Sequence, residues 1–90
     1  MNEVTNIRDI LASNIKFYRF KMGYTQEQLA EKTDLSPRYI SDIEHSKGNI
    51  PIDTLEVLAF ILKVKPYCLI KEQKHESLPK RVNMKNKRNT

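Results

Sequence analysis

Apolar residues recur at helical spacing along most of the chain, and the first stretch shows the pattern most clearly. Leu11, Ile15, Tyr18 and Met22 follow one another at spacings of four, three and four residues. This spacing places their side chains on one face of an α-helix. Gly23 follows directly and is well suited to end a helix in left-handed geometry. We therefore predict a first helix over residues 7–22.

A second, shorter helix is predicted over residues 26–32, and a polar pair marks its start. Thr25 can accept a hydrogen bond from the first turn of this helix. Gln28, three residues later, can accept one from the Thr25 backbone in return, which is the reciprocal arrangement of a capping box. Leu29 and Ala30 then supply the apolar side chains that the helix buries.

A third helix is predicted over residues 37–44. Ser36 is a favourable N-cap, and Pro37 stands at the first helical position, where a missing N–H costs nothing. Only residues 33–35 lie between the second helix and the N-cap Ser36, so the chain must turn a sharp corner. Two helices joined this closely form a helix-turn-helix, whose second helix fits the DNA major groove.

The rest of the apolar pattern predicts two more helices and an all-α domain. A loop over residues 45–51 precedes a fourth helix over residues 52–62. A short fifth helix over residues 66–71 then completes a helix-turn-helix DNA-binding domain over residues 7–71. The residues of the last three helices that we expect to face inward are Ile40, Ile43, Leu55, Leu58, Ala59, Leu62 and Leu69.

The net charge of +5 is carried entirely by the end of the chain. Residues 74–90 hold six basic side chains and one acidic side chain, so residues 1–73 are electrically balanced. Residues 72–90 keep no helical or strand period, and we expect a disordered basic tail there and a flexible N-terminus over residues 1–6. Such a tail could trail along DNA and release counterions, or it could serve solubility alone.

The sequence carries no recognisable catalytic, metal or membrane motif. Cys68 is the only cysteine, and it makes no zinc site with the two distant histidines, His45 and His75. There is no nucleophile elbow, phosphate-binding glycine loop, signal peptide or apolar run that could span a bilayer. We therefore expect a cytoplasmic protein that is not an enzyme and has no cofactor, metal or small-molecule ligand.

A set of short motifs in fixed order covers residues 11–70. They are GYTQEQLA at residues 23–30 and YISDIE at residues 39–44, followed by Thr54, Leu55, Leu58, Ala59 and Val64. Together they resemble the phage repressor/Cro-type helix-turn-helix family, also called the XRE family. The resemblance implies a five-helix, lambda-repressor-like domain. It also implies a homodimer on a two-fold symmetric DNA operator, whose half-sites lie about 34 Å apart.

The same resemblance implies roles for individual side chains. Arg19 and Glu44 occupy positions that often form a partly buried ion pair between the first and third helices. Gln26 occupies a position that contacts a DNA phosphate. The loop that holds Lys47 and Asn49 is expected to meet the phosphodiester backbone.

The outward face of the third helix carries the residues that we expect to contact bases, namely Pro37, Arg38, Ser41 and Asp42. Pro37 stands where many relatives have a base-reading amide, so Arg38 becomes the best reader. Its guanidinium can make two hydrogen bonds to guanine O6 and N7, and a phosphate contact is the alternative. Ser41 could contact either a base or a phosphate. Asp42 could accept a bond from a cytosine amino group or pair with Arg38 one turn earlier.

Six further residues are expected to contact DNA phosphates, and they are Thr25, Gln26, Ser36, Tyr39, Lys47 and Asn49. Free backbone N–H groups at the start of the second helix favour an anion beside Gln26. Tyr39 can reach the backbone with its hydroxyl group, although packing alone would explain a tyrosine there. Asp34 and Ser46 replace glycines usual in the family, and aspartate tolerates left-handed geometry better than most residues.

These observations predict a sequence-specific DNA-binding transcriptional regulator, similar to a repressor or Cro, that acts as a dimer on a short palindromic operator. Its dimer surface would be the last helix, including Tyr67 and Ile70. The alternative is a protein-interaction module such as an antitoxin, with DNA binding secondary and the tail folding on a partner. A phage or mobile element, a restriction system and a toxin–antitoxin pair are all compatible settings.

Overall fold

The computed structural model describes residues 6–75, and within them the chain forms five α-helices and no strand. The helices run over Ile7–Met22 (α1), Gln26–Thr33 (α2), Pro37–Glu44 (α3), Ile52–Leu62 (α4) and Tyr67–Ile70 (α5). The all-α, five-helix prediction is therefore confirmed. The predictions made for residues 1–5 and 76–90 lie outside the described residues.

Three helix boundaries, in two helices, differ from the prediction by one residue. α2 extends to Thr33, whose hydroxyl group donates to two carbonyls of the preceding turn and so lies naturally at a helix end. α5 begins at Tyr67 rather than at Pro66, which serves as its N-cap. It ends before Lys71, because that residue has extended backbone angles (φ −89°, ψ 133°).

The polar capping residues that mark the starts of α2 and α3 in the sequence make the expected hydrogen bonds. The Gln28 backbone N–H donates to Thr25 Oγ1 at 2.9 Å, and the Thr25 N–H donates to Gln28 Oε1 at 2.8 Å. The Tyr39 N–H donates to Ser36 Oγ at 3.0 Å. Asn6, which was assigned to the flexible N-terminus, caps α1 by accepting a bond from the backbone of its first turn. These contacts satisfy N–H groups that a helix start otherwise leaves open.

One apolar core joins all five helices, because α1 packs against α3, α4 and α5 while α2 packs against α3 and α4. The core residues are Leu11, Ile15, Leu29, Ala30, Ile40, Ile43, Leu58, Ala59, Leu62 and Leu69. Burial of each large aliphatic side chain contributes about 1.5–3 kcal/mol. Ile40 and Ile43 are the core residues of α3, so the opposite face of that helix is left outside.

Among residues 6–75, three residues other than glycine adopt left-handed backbone geometry. Asp34 (φ 61°) forms the corner between α2 and α3, and Ser46 (φ 63°) follows α3. These are the two positions where the resembled family usually has glycine. Lys63 (φ 63°) ends α4, and no turn residue in the sequence pointed to this conformation.

The segment after α5 folds back onto α1, although residues 72–75 were assigned to the tail. His75 Nε2 bonds to Asn14 Oδ1 at 2.9 Å, and its ring stacks on Phe17 with 3.8 Å between centroids. Asn14 itself is buried and donates to the carbonyls of Leu69 and Lys71 at 3.0 and 2.9 Å. This amide therefore satisfies backbone groups at the end of α5 and anchors the segment that follows.

Candidate nucleic-acid interface

α3 presents a polar face outward because its apolar residues are anchored beneath it. Ile40 and Ile43 are 0% and 2% exposed, whereas the Arg38 side chain is 85% exposed. Pro37 is also exposed, at the first turn of the helix. A helix held in this way can enter a groove without disturbing the core that supports it.

Arg38 and Asp42 lie one helical turn apart and are paired. Arg38 Nε lies 3.6 Å from Asp42 Oδ1. This is one of the two arrangements that the sequence left open for Asp42. Exposed pairs of this kind contribute only a few tenths of a kcal/mol. The guanidinium group can therefore leave Asp42 for a stronger acceptor, such as a guanine edge.

Ser41 lies on the same helix, half-buried, and is linked to the residue that ends it. The ring atom His45 Nδ1 bonds to the Ser41 carbonyl at 2.7 Å and lies 3.4 Å from Ser41 Oγ. Because the carbonyl can only accept, the histidine nitrogen is the donor. The Ser41 hydroxyl proton stays available for another acceptor.

A buried ion pair fixes the end of α3 on α1. Arg19 Nε and Nη2 donate to the two carboxylate oxygens of Glu44 at 2.6 and 2.9 Å, and Arg19 Nη1 donates to the Tyr24 carbonyl at 2.9 Å. The two side chains are only 7% and 3% exposed. The structure thus brings together the two residues that the resemblance implied, and it orients α3 through them.

Gln26 joins the same network from the first turn of α2. Its amide Nε2 donates to Glu44 Oε1 at 3.1 Å. An amide nitrogen carries two protons, so one remains free to meet an anion. Thr25 and Ser36 accept the capping bonds of α2 and α3, and each hydroxyl keeps its own proton to donate. All three residues can therefore donate to a phosphate without losing their structural bonds.

The Tyr39 hydroxyl group points toward the loop after α3. It donates to the Asn49 carbonyl at 3.1 Å. A phenol has a single proton, so Tyr39 can donate to a phosphate only if this bond breaks. Lys47 lies exposed in the same loop, and its backbone N–H donates to the Asp42 carbonyl at 2.8 Å.

One residue at this surface was missed by the sequence analysis. Arg8, in the first turn of α1, donates from Nε to the Gly48 carbonyl at 2.7 Å and from Nη2 to Asn49 Oδ1. Forty residues of sequence separate Arg8 from Gly48. No spacing or motif connects two such positions, and Arg8 precedes the segment that resembles the family.

A groove of about 400 Å³ lies between α1, the loop after α3, and α5. Its apolar wall includes Ile7, Leu11, Ile43, Leu55 and Ile70. Within residues 6–75 there is no group of three or more His, Cys, Asp or Glu side chains that could hold a metal ion. None of the helices formed by these residues is long and apolar enough to cross a membrane.

Comparison with known proteins identifies relatives that share both sequence and fold. A helix-turn-helix family model (HTH_3) matches residues 15–67. A hypothetical transcription factor of Neisseria meningitidis is 34% identical over 65 residues, which is 72% of this chain and 61% of the relative. The crystal structure of a hypothetical transcription factor (NHTF) from Neisseria superimposes with a TM-score of 0.72 at 30% identity, covering 80% of this chain and 85% of that one.

Two further relatives are a control protein and a transcriptional regulator. Control protein C.SmaI of Serratia marcescens is 37% identical over 68 residues, 76% of this chain and 81% of its own length. The transcriptional regulator SinR of Bacillus subtilis is 36% identical over 69 residues, 76% of this chain and 61% of its own length.

A SinR crystal structure in complex with DNA matches with a TM-score of 0.64 at 34% identity, covering 68% of this chain and 98% of that one. The chain thus spans about three fifths of the length of the curated Neisseria and SinR relatives. The family match and the C.SmaI match show that the chain belongs to the helix-turn-helix family of the phage repressor/Cro (XRE) type.

Proposed function

We propose that this protein is a sequence-specific DNA-binding transcriptional regulator that acts in the cytoplasm and carries out no catalysis. The observation that carries the proposal is the open face of α3, where an 85% exposed Arg38 stands above fully buried Ile40 and Ile43. A relative of the same fold, SinR, has been crystallised with DNA. Others are named control proteins and an immunity repressor.

In this proposal α3 enters the major groove and Arg38 reads a guanine. Its fork makes two hydrogen bonds to O6 and N7, which is worth about 1–3 kcal/mol of discrimination against a wrong base. Asp42 holds the guanidinium group over α3 until the guanine replaces it. Ser41 and Pro37 complete the surface that meets the base edges.

The phosphates on either side are held by polar groups around α3. Donors remain on Thr25, Gln26 and Ser36, whose capping and network bonds leave a proton free. Lys47 and Asn49 contribute from the loop after α3, and Tyr39 joins them if its hydroxyl turns from the Asn49 carbonyl. Such contacts set the register of the protein on the duplex, whereas base contacts set the sequence that it prefers.

A dimer would present two copies of α3 to the two half-sites of a palindromic operator. Ile7, Tyr67 and Ile70 are 48%, 57% and 42% exposed. Ile7 and Ile70 also line one groove, so their exposed surfaces adjoin. Contiguous exposed apolar surface marks interaction sites in small domains. We place the contact between two copies of the chain on this surface.

A gel-shift titration on the DNA upstream of the protein's own gene tests the proposal. We expect a retarded complex that survives excess random DNA and is lost on adding unlabelled upstream DNA. Arg38→Ala should reduce this preference about tenfold or more. Lys16→Ala, which removes one exposed charge from α1, is the control and should keep it. Random DNA that competes as well as upstream DNA would contradict the proposal.

A further inference from the structure

The first turn of α1 reaches the loop that follows α3, through a single arginine. Arg8 Nε donates to the Gly48 carbonyl at 2.7 Å, and Nη2 bonds to Asn49 Oδ1. On the other side of the loop, the Tyr39 hydroxyl donates to the Asn49 carbonyl at 3.1 Å. Gly48 and Asn49 are therefore held between side chains from α1 and α3.

This loop has little packing to hold it. Lys47, Gly48 and Asn49 are all exposed, and a Cβ added at Gly48 would meet no atom within 4 Å. Ser46 and Gly48 have φ angles of 63° and 78°, so the chain turns sharply at both. The backbone N–H groups of Ser46 and Lys47 bond to carbonyls of α3, and Ile50 packs against the core. The exposed tip at Gly48 and Asn49 lies between these anchors, and its side-chain bonds come from Arg8 and Tyr39.

The Arg8 bond also determines which way the Asn49 amide faces. An arginine can only donate, so the oxygen of the Asn49 amide must turn toward it. The NH₂ group of that amide is then directed away from Arg8 and keeps both of its protons. An ionic phosphate oxygen accepts such protons, whereas an amide flipped the other way would present its oxygen and repel the phosphate.

We propose that Arg8 is a positioning residue of the DNA-binding surface, which braces the loop of residues 46–50 and aims the Asn49 NH₂ group at a DNA phosphate. The inference rests on the proposed function, because the phosphate belongs to the duplex that α3 enters. Arginine suits this role because its planar fork holds two acceptors at once, which a lysine ammonium on a flexible stem does not reproduce.

A double-mutant cycle on the full chain tests the brace. Arg8→Ala and Asn49→Ala should each weaken operator binding about tenfold, as expected for one charge-assisted contact. The double variant should bind no more weakly than the weaker single variant, because both changes remove the same contact. Lys16→Ala is the charge-matched control on α1 and should bind within about twofold of the unaltered protein.

Arg8→Lys distinguishes the effect of the two guanidinium hydrogen bonds from the effect of the positive charge. It keeps the positive charge but loses the fork, so we expect affinity within about threefold of that of Arg8→Ala. Thermal unfolding of all these variants should match the unaltered protein within a few degrees. Full affinity in Arg8→Lys, or additive losses in the double variant, would overturn the proposal.

Backbone NMR of the free protein tests the contact between Arg8 and the loop independently of DNA binding. The amide signals of Gly48 and Asn49 should shift and broaden in Arg8→Ala and remain unchanged in Lys16→Ala. Unchanged signals in Arg8→Ala would overturn the brace. If the signals change in Arg8→Ala but the unaltered protein binds no preferred DNA, the contact between Arg8 and the loop is supported. The missing DNA preference would then contradict the proposed function.

Discussion

At the scale of single residues, Glu44 makes the hydrogen bonds that orient α3. Its carboxylate accepts two bonds from Arg19 and a third from Gln26, in a site that is 3% exposed. A buried ion pair is not necessarily more stabilising than apolar packing. Loss of one partner is costly, however, because the other charge remains desolvated.

Glu44→Ala should therefore lower the free energy of unfolding by about 3–5 kcal/mol, since it strands the Arg19 guanidinium in the interior. Glu31→Ala on the exposed side of α2 removes the same charge without a partner and should change stability by less than about 0.5 kcal/mol. Urea unfolding followed by circular dichroism measures both. Equal effects from the two variants would show that the ion pair is not buried in solution.

Contacts between residues close in sequence could be predicted, whereas contacts between residues that only the fold brings together could not. The caps of Thr25 and Ser36 follow from residue type within four positions of chain, and Arg19 with Glu44 followed from the family resemblance. Arg8 and Asn14 carry no comparable signal. Their partners lie 40 to 61 residues away, so only the packed structure brings them together.

At the scale of helices and turns, apolar spacing and capping residues located all five helices, and the errors lie at the last residue of α2 and at both ends of α5. Periodicity reports the face that is buried, but it does not report the last residue whose backbone remains helical. The structure therefore gives α2 one residue more than the apolar spacing predicts. α4 has the predicted bounds, although Lys63 ends it in left-handed geometry without the glycine or asparagine that usually marks such an end.

Lys63→Gly should therefore stabilise the protein. Left-handed geometry costs an ordinary side chain about 1–2 kcal/mol, and glycine avoids most of that cost. Asp34→Gly, at a φ of 61°, should gain less, because aspartate tolerates this region better. Chemical unfolding of the two variants measures the difference. A loss of stability in Lys63→Gly, or a larger gain in Asp34→Gly, would contradict the account of these turns.

Docking of residues 72–75 on α1, through His75, should depend on pH. Burial, and then the charge of Lys21, lower the pKa of His75 below its ordinary value of 6.5. Asn14 Nδ2 donates to two carbonyls, so its oxygen accepts from His75 Nε2. The lowered pKa favours the neutral form of the docked ring, with its proton on that nitrogen. The released segment binds a proton more readily than the docked one. The contribution of the neutral His75 ring to docking is therefore fully present above pH 6.5 and is lost as the pH falls toward the lowered pKa.

NMR shifts of the Phe17 ring measure this docking, because the ring stacks on His75. We expect them to move toward those of a His75→Ala variant as the pH is lowered from 7.5 to about 5.5. His75→Phe keeps an aromatic ring without a titrating group, and its Phe17 shifts should stay constant. A pH response of Phe17 that is identical in His75→Phe would assign the effect to another group.

At the scale of the whole molecule, the charge is balanced over residues 1–73, so attraction of the folded domain to DNA depends on where its charges lie. The sequence located the helix-turn-helix, but it did not reveal the groove between α1, the loop and α5. That groove arises from packing of elements distant along the chain, and it connects the proposed dimer surface with the loop that Arg8 holds.

Substitution at the proposed dimer surface should separate two copies. A Tyr67→Glu, Ile70→Glu double variant should sediment as a monomer and bind a two-half-site operator at least tenfold more weakly, because two added negative charges on each copy would repel those of the other copy. Phe60→Glu is the matched control, since Phe60 is 78% exposed on α4 and lies outside the groove lining. Dissociation caused by Phe60→Glu, with none in the double variant, would place the interface elsewhere.

Selection from random DNA duplexes is the most direct measurement of what α3 does. We expect an enriched two-fold repeat whose half-sites lie about 34 Å apart, one helical turn of DNA. We also expect a guanine in each half-site that is no longer selected with Arg38→Ala but is retained with Lys16→Ala. Recovery of no preferred sequence, or of the same sequence with Arg38→Ala, would contradict the claim that α3 reads DNA through Arg38.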